Sequence, residues 1–165
     1  MKLVLSALAA ILFVTAPAFA QDAPATTAPA TLSADQVPVV SNDGSLYRAF
    51  GGHDGLVKLM DDLFVNVQAD SRISAFFEPQ KIPHIKEELV DQFCEITGGG
   101  CTYTGKDMKT VHSQLGVTQD SFFALVEDLQ KAMDANHIPF AEQNKLLAAL
   151  APQSRDIVTG PAPAE

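Results

Sequence analysis

The spacing of apolar residues predicts a run of helices through the central and C-terminal parts of the chain. In the first of them, apolar side chains recur at intervals of three and four from Leu56 to Val67, and polar residues occupy the other face. Gly51-Gly52 precedes this helix, and Asp54 is its expected cap. No alternation typical of a strand runs for a useful length, so the domain is predicted to be all-helical.

Proline, glycine and threonine mark where the later helices begin and end. A proline suits the first turn of a helix, a run of glycines ends one, and a threonine can cap one. One further expected helix is very short and carries a histidine. These helices are expected from near Pro83 to Thr97, from about Asp107 to Leu115, from just after Thr118, and from about Ala141 towards Ile157 with a kink at Pro152.

The first 20 residues have a different pattern, which is typical of a cleavable secretory signal. Lys2 precedes an apolar run from Leu3 to Val14, and the small-residue triplet Ala18-Phe19-Ala20 follows. A membrane anchor is the alternative, but the run is short beside the roughly 20 residues of a membrane span, and Pro17 ends it. We therefore expect cleavage after Ala20 and export to the periplasm or beyond. No membrane span is expected after cleavage.

The remaining boundaries follow from composition. Residues 21–43 are rich in Ala, Pro and Thr and poor in large apolar side chains, and residues 161–165 are similar. Such stretches bury too little surface to offset the entropy of ordering, so both are expected to be disordered. The intervening residues 44–160 are enough for one compact domain.

Charge and cysteine content narrow the choice of partners and of compartment. The formal net charge is −9, and removal of the signal with Lys2 makes the chain more acidic still, which disfavours nucleic acid and anionic membranes as partners. The two cysteines, Cys94 and Cys101, are expected to form a disulfide in an exported protein, with two free thiols as the alternative. Neither a CxxCH haem-attachment signature nor a four-ligand zinc spacing is present.

Several motifs occur together in an informative order. They are LYRAFGGHDGLVKLMDDLFVNVQADSRISAFF, the glycines GGG, YTGKDMKTVHSQLGVT and FFALVEDL. With them the chain resembles the truncated globins, in particular their group I branch, over nearly all of the domain and none of the signal or linker. The resemblance implies a two-over-two helical sandwich that encloses haem b, with His112 as the proximal iron ligand. An isolated histidine would more simply be a surface residue of a short helix.

The resemblance also implies which other residues surround the haem. Phe77 is similar to the phenylalanine that stacks on the porphyrin in this family, although ordinary core packing explains it equally. Lys81 and Lys86 are candidate partners of the haem propionates, and a solvated charge is the simpler interpretation of both. The remaining lining residues are expected to be Phe93 on the second helix and Tyr103, Met108, Val111, Leu115, Val117 and Phe122 around the proximal side and the haem edge.

The distal side departs from the common pattern of the family. Phe64 stands where many relatives carry a tyrosine, and Ile85 and Leu89 stand where glutamine is frequent. Dioxygen acquires negative charge on binding and is stabilised by a hydrogen-bond donor, which none of the three supplies. His84 is a candidate donor or sixth ligand if its helix is rotated, and Tyr103 is a second candidate donor.

These features favour a protein that binds diatomic gases over a dedicated enzyme. The expected activity is reversible binding of O2, NO or CO at haem iron. The alternatives are a periplasmic haem enzyme that detoxifies nitric oxide or peroxide with a reductant, and a haem electron-transfer protein. Binding is preferred because no distal acid, base or donor is evident. The sequence does not predict the oligomeric state.

Overall fold

The structure is a computed structural model that describes residues 39–161. The predicted signal at 1–20, residues 21–38 of the predicted linker (21–43) and residues 162–165 of the predicted tail (161–165) lie outside the described residues. Within residues 39–161 the secondary structure is entirely helical, as predicted. None of the helices in this range combines the length and apolar character that crossing a bilayer requires.

Residues 39–161 form seven α-helices and three short 3-10 turns. The 3-10 turns lie at Ser74–Phe76, Pro79–Lys81 and Ala151–Gln153. The helices are α1 (Ser45–Ala49), α2 (Gly52–Ala69), α3 (Ile82–Ile96), α4 (Met108–His112), α5 (Gln119–Ala135), α6 (Phe140–Leu150) and α7 (Ser154–Ile157).

The core forms where α2 packs against both α3 and α5. The apolar face predicted from Leu56 to Val67 is buried there, and α5 contributes Leu129 and Met133 from the opposite side. Burial of this stripe removes a large apolar area from water, which is the main favourable contribution to the folding of such a helix. Away from this core, α4 packs against α7.

The helix boundaries confirm most of the signals read from the sequence. Pro83 lies in the first turn of α3, and Thr118 caps α5 by accepting a hydrogen bond from the backbone N–H of Ser121. The kink expected at Pro152 is a 3-10 turn between α6 and α7. Asp54 is not the cap of α2. Gly51 occupies that position with φ 81°, and Asp54 lies in the first turn, where its charge still favours the positive end of the helix.

The end of α3 is fixed by the disulfide and by hydrogen bonds from the N-terminal part of the domain, before and within α1. Cys94 and Cys101 form the expected disulfide, which ties α3 to the loop that leads towards α4. The backbone N–H of Val40 donates to the carbonyl of Ile96 at 2.9 Å, and that of Tyr47 donates to Thr97 at 3.1 Å. The ordered chain therefore extends a few residues before Gly44, where the sequence places the start of the domain.

Candidate functional site

His112 is the last residue of α4, and a well-formed cap holds the start of this short helix. The Asp107 carboxylate accepts from the backbone N–H of Thr110 at 2.8 Å and from its hydroxyl at 2.6 Å. These hydrogen bonds favour the charged carboxylate and lower the pKa of Asp107 below its ordinary value. Because α4 has only five residues, it depends on this cap and on tertiary contacts for its position.

The imidazole of His112 has a defined orientation. Its Nδ1 lies 2.7 Å from the backbone carbonyl oxygen of Met108, one turn earlier. A carbonyl oxygen can only accept, so this contact places the proton on Nδ1 and leaves the lone pair of Nε2 available to a metal. An imidazole held by its second nitrogen is the usual arrangement of a metal-binding histidine. The side chain is half-buried, so Nε2 is not enclosed by the core.

Residues near the C-terminus form hydrogen bonds to His112 and to the loop that follows it. The hydroxyl of Thr159 donates to the His112 carbonyl at 3.2 Å. The backbone N–H groups of Thr159 and Gly160 both donate to the carbonyl of Val117 at 2.9 Å. We call residues 158–160 the C-terminal strap. It closes the loop between α4 and α5 and so fixes the residue that carries the imidazole.

The three residues predicted for the distal side come from α2 and α3. Phe64 is 3% exposed, and Ile85 and Leu89 are partly buried and pack on the core. Phe77 lies beside Phe64, with the ring centroids 5.4 Å apart and the rings perpendicular. None of these four side chains has a hydrogen-bond donor, so each offers only apolar contact.

The predicted proximal residues divide into buried and exposed groups. Val117 and Phe122 are buried, whereas Val111 and Leu115, which flank His112, are 40% and 44% exposed. Met108 is half-buried, and Phe93 belongs to the core. Apolar side chains left open to solvent around a metal-binding histidine fit a flat apolar group that would cover them. The imidazole of His112 and the apolar side chains around it therefore suit a haem.

The two candidate distal donors, His84 and Tyr103, each contact another polar group of the protein. The His84 side chain is 74% exposed, and its Nε2 lies 3.7 Å from a carboxylate oxygen of Glu88 on the outer surface of α3. The hydroxyl of Tyr103 donates a hydrogen bond to the carbonyl of Lys106 at 2.9 Å. Its backbone N–H donates to the carboxylate of Glu95, which fixes the backbone at this position. Burial, and then the charges of Glu88 and Asp107, raise the pKa of Tyr103.

Lys81 and Lys86, the candidate propionate partners, each have a carboxylate partner in the protein. Lys81 pairs with Glu78 at 2.8 Å on the exposed 3-10 turn. Lys86 pairs with Asp61 and so connects α3 to α2. A surface ion pair of this kind has little net stability, so either ammonium group can exchange its partner for a stronger anion nearby.

Gln92 was not predicted to belong to the site. This residue lies on α3 three positions after Leu89, on the buried side of the helix, and is 2% exposed. Its Nε2 lies 3.9 Å from the Sδ atom of Met108, so it joins α3 to the helix that carries His112. The signal was present in the sequence, since an amide at a position adjacent to Phe93 interrupts the apolar face of α3.

Comparison with known proteins identifies the family. The sequence profile of the bacterial-like globins matches residues 45–158. The group 1 truncated haemoglobin GlbN of Mycolicibacterium paratuberculosis is 34% identical over 118 residues, which cover 72% of this chain and 87% of that protein. A group 1 truncated haemoglobin of Tetrahymena pyriformis is 26% identical over 85 residues, 52% of this chain and 70% of that protein.

Solved structures agree at the level of the fold. The truncated haemoglobin of Tetrahymena pyriformis in its Fe(III) form superimposes with a TM-score of 0.65 at 22% identity, over 68% of this chain and 97% of that one. The 2/2 haemoglobin of a Synechococcus species, in the cyanomet state with covalently attached haem, gives a TM-score of 0.64 at 20% identity and the same coverage. The helical chain from Ser45 to Val158 thus belongs to the bacterial-like globin family, among the group 1 truncated haemoglobins.

Proposed function

We propose that this globin holds haem b through His112 and reversibly binds small diatomic gases, O2, NO or CO. The observation that carries the proposal is the 2.7 Å contact between His112 Nδ1 and the Met108 carbonyl, which leaves Nε2 available to iron. Haem supplies an iron with one coordination position left for a gas molecule. The relatives named above are haemoglobins, which supports the same cofactor.

The chain's own residues would hold the porphyrin by apolar contact on both faces. Val111 and Leu115 are the half-exposed side chains on the His112 side, and Phe77 offers an aromatic ring on the other. Lys86 lies on α3, is paired with Asp61, and has 28% of its side chain exposed. An exchange of Asp61 for a propionate would leave the charge of Lys86 matched.

The distal surface supports a preference for ligands that need no hydrogen bond. Dioxygen gains negative charge on binding, and Phe64, Ile85 and Leu89 offer no donor to stabilise it. Nitric oxide and carbon monoxide depend less on such a donor. The same three positions offer no general acid or base, so the site supports reversible binding better than turnover.

Absorption spectroscopy on the purified chain tests the proposal. We expect an intense Soret band that shifts when CO is added to the reduced protein. His112→Gly should lose the band or the shift, and free imidazole should restore both because it can enter the vacated position. His84→Ala is the matched control, because the His84 side chain is exposed and lies near Glu88. This variant should have the spectra of the wild type. A His112→Gly protein with the unchanged wild-type spectrum would refute ligation by His112.

We further propose that the chain is exported and cleaved after Ala20. Two features support this: the pattern of residues 1–20 and the disulfide between Cys94 and Cys101, a bond that persists mainly in oxidising compartments. Mass spectrometry of the protein from a periplasmic or culture fraction tests it. A mature N-terminus at Gln21 is the expected result, and an intact Met1 in a cytosolic fraction would contradict it.

A further inference from the structure

Gln92 is a buried polar side chain that haem binding by itself does not explain. It is 2% exposed and lies among apolar residues on the inner side of α3. Burial of an amide is unfavourable unless its hydrogen bonds are satisfied, and the Nε2 group of Gln92 faces only the thioether of Met108, a weak acceptor, at 3.9 Å. A leucine at this position would pack as well without that cost.

Met108 connects this amide to the iron-binding histidine. Its Sδ faces Gln92, and its backbone carbonyl accepts from His112 Nδ1 at 2.7 Å. Methionine has three flexible side-chain bonds and fills space loosely, so a directional contact at sulfur restricts it more than apolar packing would. Met108 is also the first residue of the five-residue helix α4, where a small shift moves the whole helix.

We infer that Gln92 is a positioning residue for His112, acting through Met108. The amide holds the Met108 side chain against α3, and the Met108 carbonyl in turn holds the imidazole. The two sides of the haem site are thereby connected within the protein, because α3 also carries the distal residues Ile85 and Leu89. The inference rests on the proposed ligation of haem by His112.

Resonance Raman spectroscopy of the haem-loaded, ferrous full-length protein tests the inference. The iron–histidine stretching band reports the orientation and hydrogen bonding of the ligand. Gln92→Leu keeps the volume and removes the amide, so we expect a shifted or broadened band and haem dissociation accelerated several-fold. Gln143→Leu is the matched control. Gln143 is also buried, but it donates to Asp134 and to the carbonyl of Ile138, in the connection between α5 and α6.

A second variant keeps the test decisive if Gln92→Leu folds poorly. Met108→Leu removes the sulfur acceptor and retains the backbone carbonyl, so it should change the band as Gln92→Leu does, and the double variant should change it no further. An unchanged band in folded Gln92→Leu or Met108→Leu protein overturns the inference, as does an equal change in Gln143→Leu. If the wild type shows no iron–histidine band at all, the proposed ligation by His112 fails instead.

Discussion

Phe64 and Phe77 pack edge to face, with perpendicular rings whose centroids are 5.4 Å apart. The pair joins α2 to the segment that precedes α3, and both residues are among those proposed to lie beside the haem. Such a pair is stabilised beyond its apolar burial by the quadrupoles of the two rings. If Phe64 lies on the distal side as proposed, one oxygen atom added to its ring would supply the hydrogen-bond donor that Ile85 and Leu89 lack.

Phe64→Tyr should therefore slow the dissociation of O2 from the ferrous protein. A hydrogen bond from the new hydroxyl contributes about 1.4 kcal/mol, which corresponds to about a tenfold slower release. CO dissociation should change much less, because CO carries little charge when bound. Stopped-flow measurement of both ligands checks this. Phe64→Leu, which alters the packing but adds no donor, is the control, and slower O2 release in that variant would contradict the explanation.

His84→Ala should leave the absorption spectra of the ferric and ferrous protein unchanged. The His84 side chain is 74% exposed and lies 3.7 Å from a carboxylate oxygen of Glu88, so it is open to solvent and is not enclosed in a pocket. A histidine that served as the sixth ligand would give a six-coordinate spectrum, and its removal would convert this to a five-coordinate one. Detection of that conversion would show that α3 rotates when haem binds.

Removal of the Asp107 cap should weaken α4 and speed the loss of haem. Asp107→Ala deletes both hydrogen bonds to Thr110, whereas Asp107→Asn keeps an acceptor without the charge. We expect several-fold faster transfer of haem to an acceptor globin from the alanine variant and a smaller effect from asparagine. Equal rates in the wild type and the alanine variant would show that tertiary contacts alone hold α4.

The charge of Asp107 also predicts a dependence on pH. Its pKa is lower in the folded protein, so its contribution to stability is fully present above the ordinary pKa of about 4 and is lost as the pH falls through the folded value. The difference between wild type and Asp107→Asn in the free energy of unfolding should be constant near neutral pH and shrink in this acidic range. Urea titrations at several pH values measure it, and a difference that grows on acidification would reverse the predicted sign.

Loss of the disulfide should destabilise the domain moderately. Cys94 and Cys101 are seven residues apart, and closure of so short a loop corresponds to about 2 kcal/mol of free energy of unfolding on the chain-entropy model. Cys101→Ser should lower stability by about this amount, as urea denaturation would show. A reductant should lower the stability of the wild type but not of the variant. An equal response to reductant would place the effect elsewhere in the chain.

The helices and their order were predictable because each boundary has a local cause. Pro83 begins α3, the glycines after Thr97 end it, and Thr118 caps α5, and all of these signals act over a few residues. Asp54 was wrongly expected to cap α2, since a glycine with a positive φ takes that place. From the sequence alone, an aspartate that caps a helix cannot be told from one that lies in the first turn after a glycine cap.

The candidate site was only partly predictable because its support comes from distant residues. His112 was identified from the motifs around it, but its connection to Thr159 spans 47 residues and leaves no periodic signal. Gln92 was missed because a glutamine is ordinarily assigned to the solvent side of a helix, even where its spacing matches the apolar face. Its contact with Met108 is a tertiary contact, which the sequence pattern does not reveal.

The C-terminal strap has a consequence for the synthesis of the protein. Thr159 leaves the ribosome 47 residues after His112, which is a delay of about 2–10 s at ordinary rates of translation. During that time the residues of α4 lack the hydrogen bond to the His112 carbonyl, and the loop before α5 lacks its bonds to the strap. The contacts that support the proposed iron ligand are thus completed late in synthesis, so we expect tight capture of the cofactor only after the whole domain has been translated.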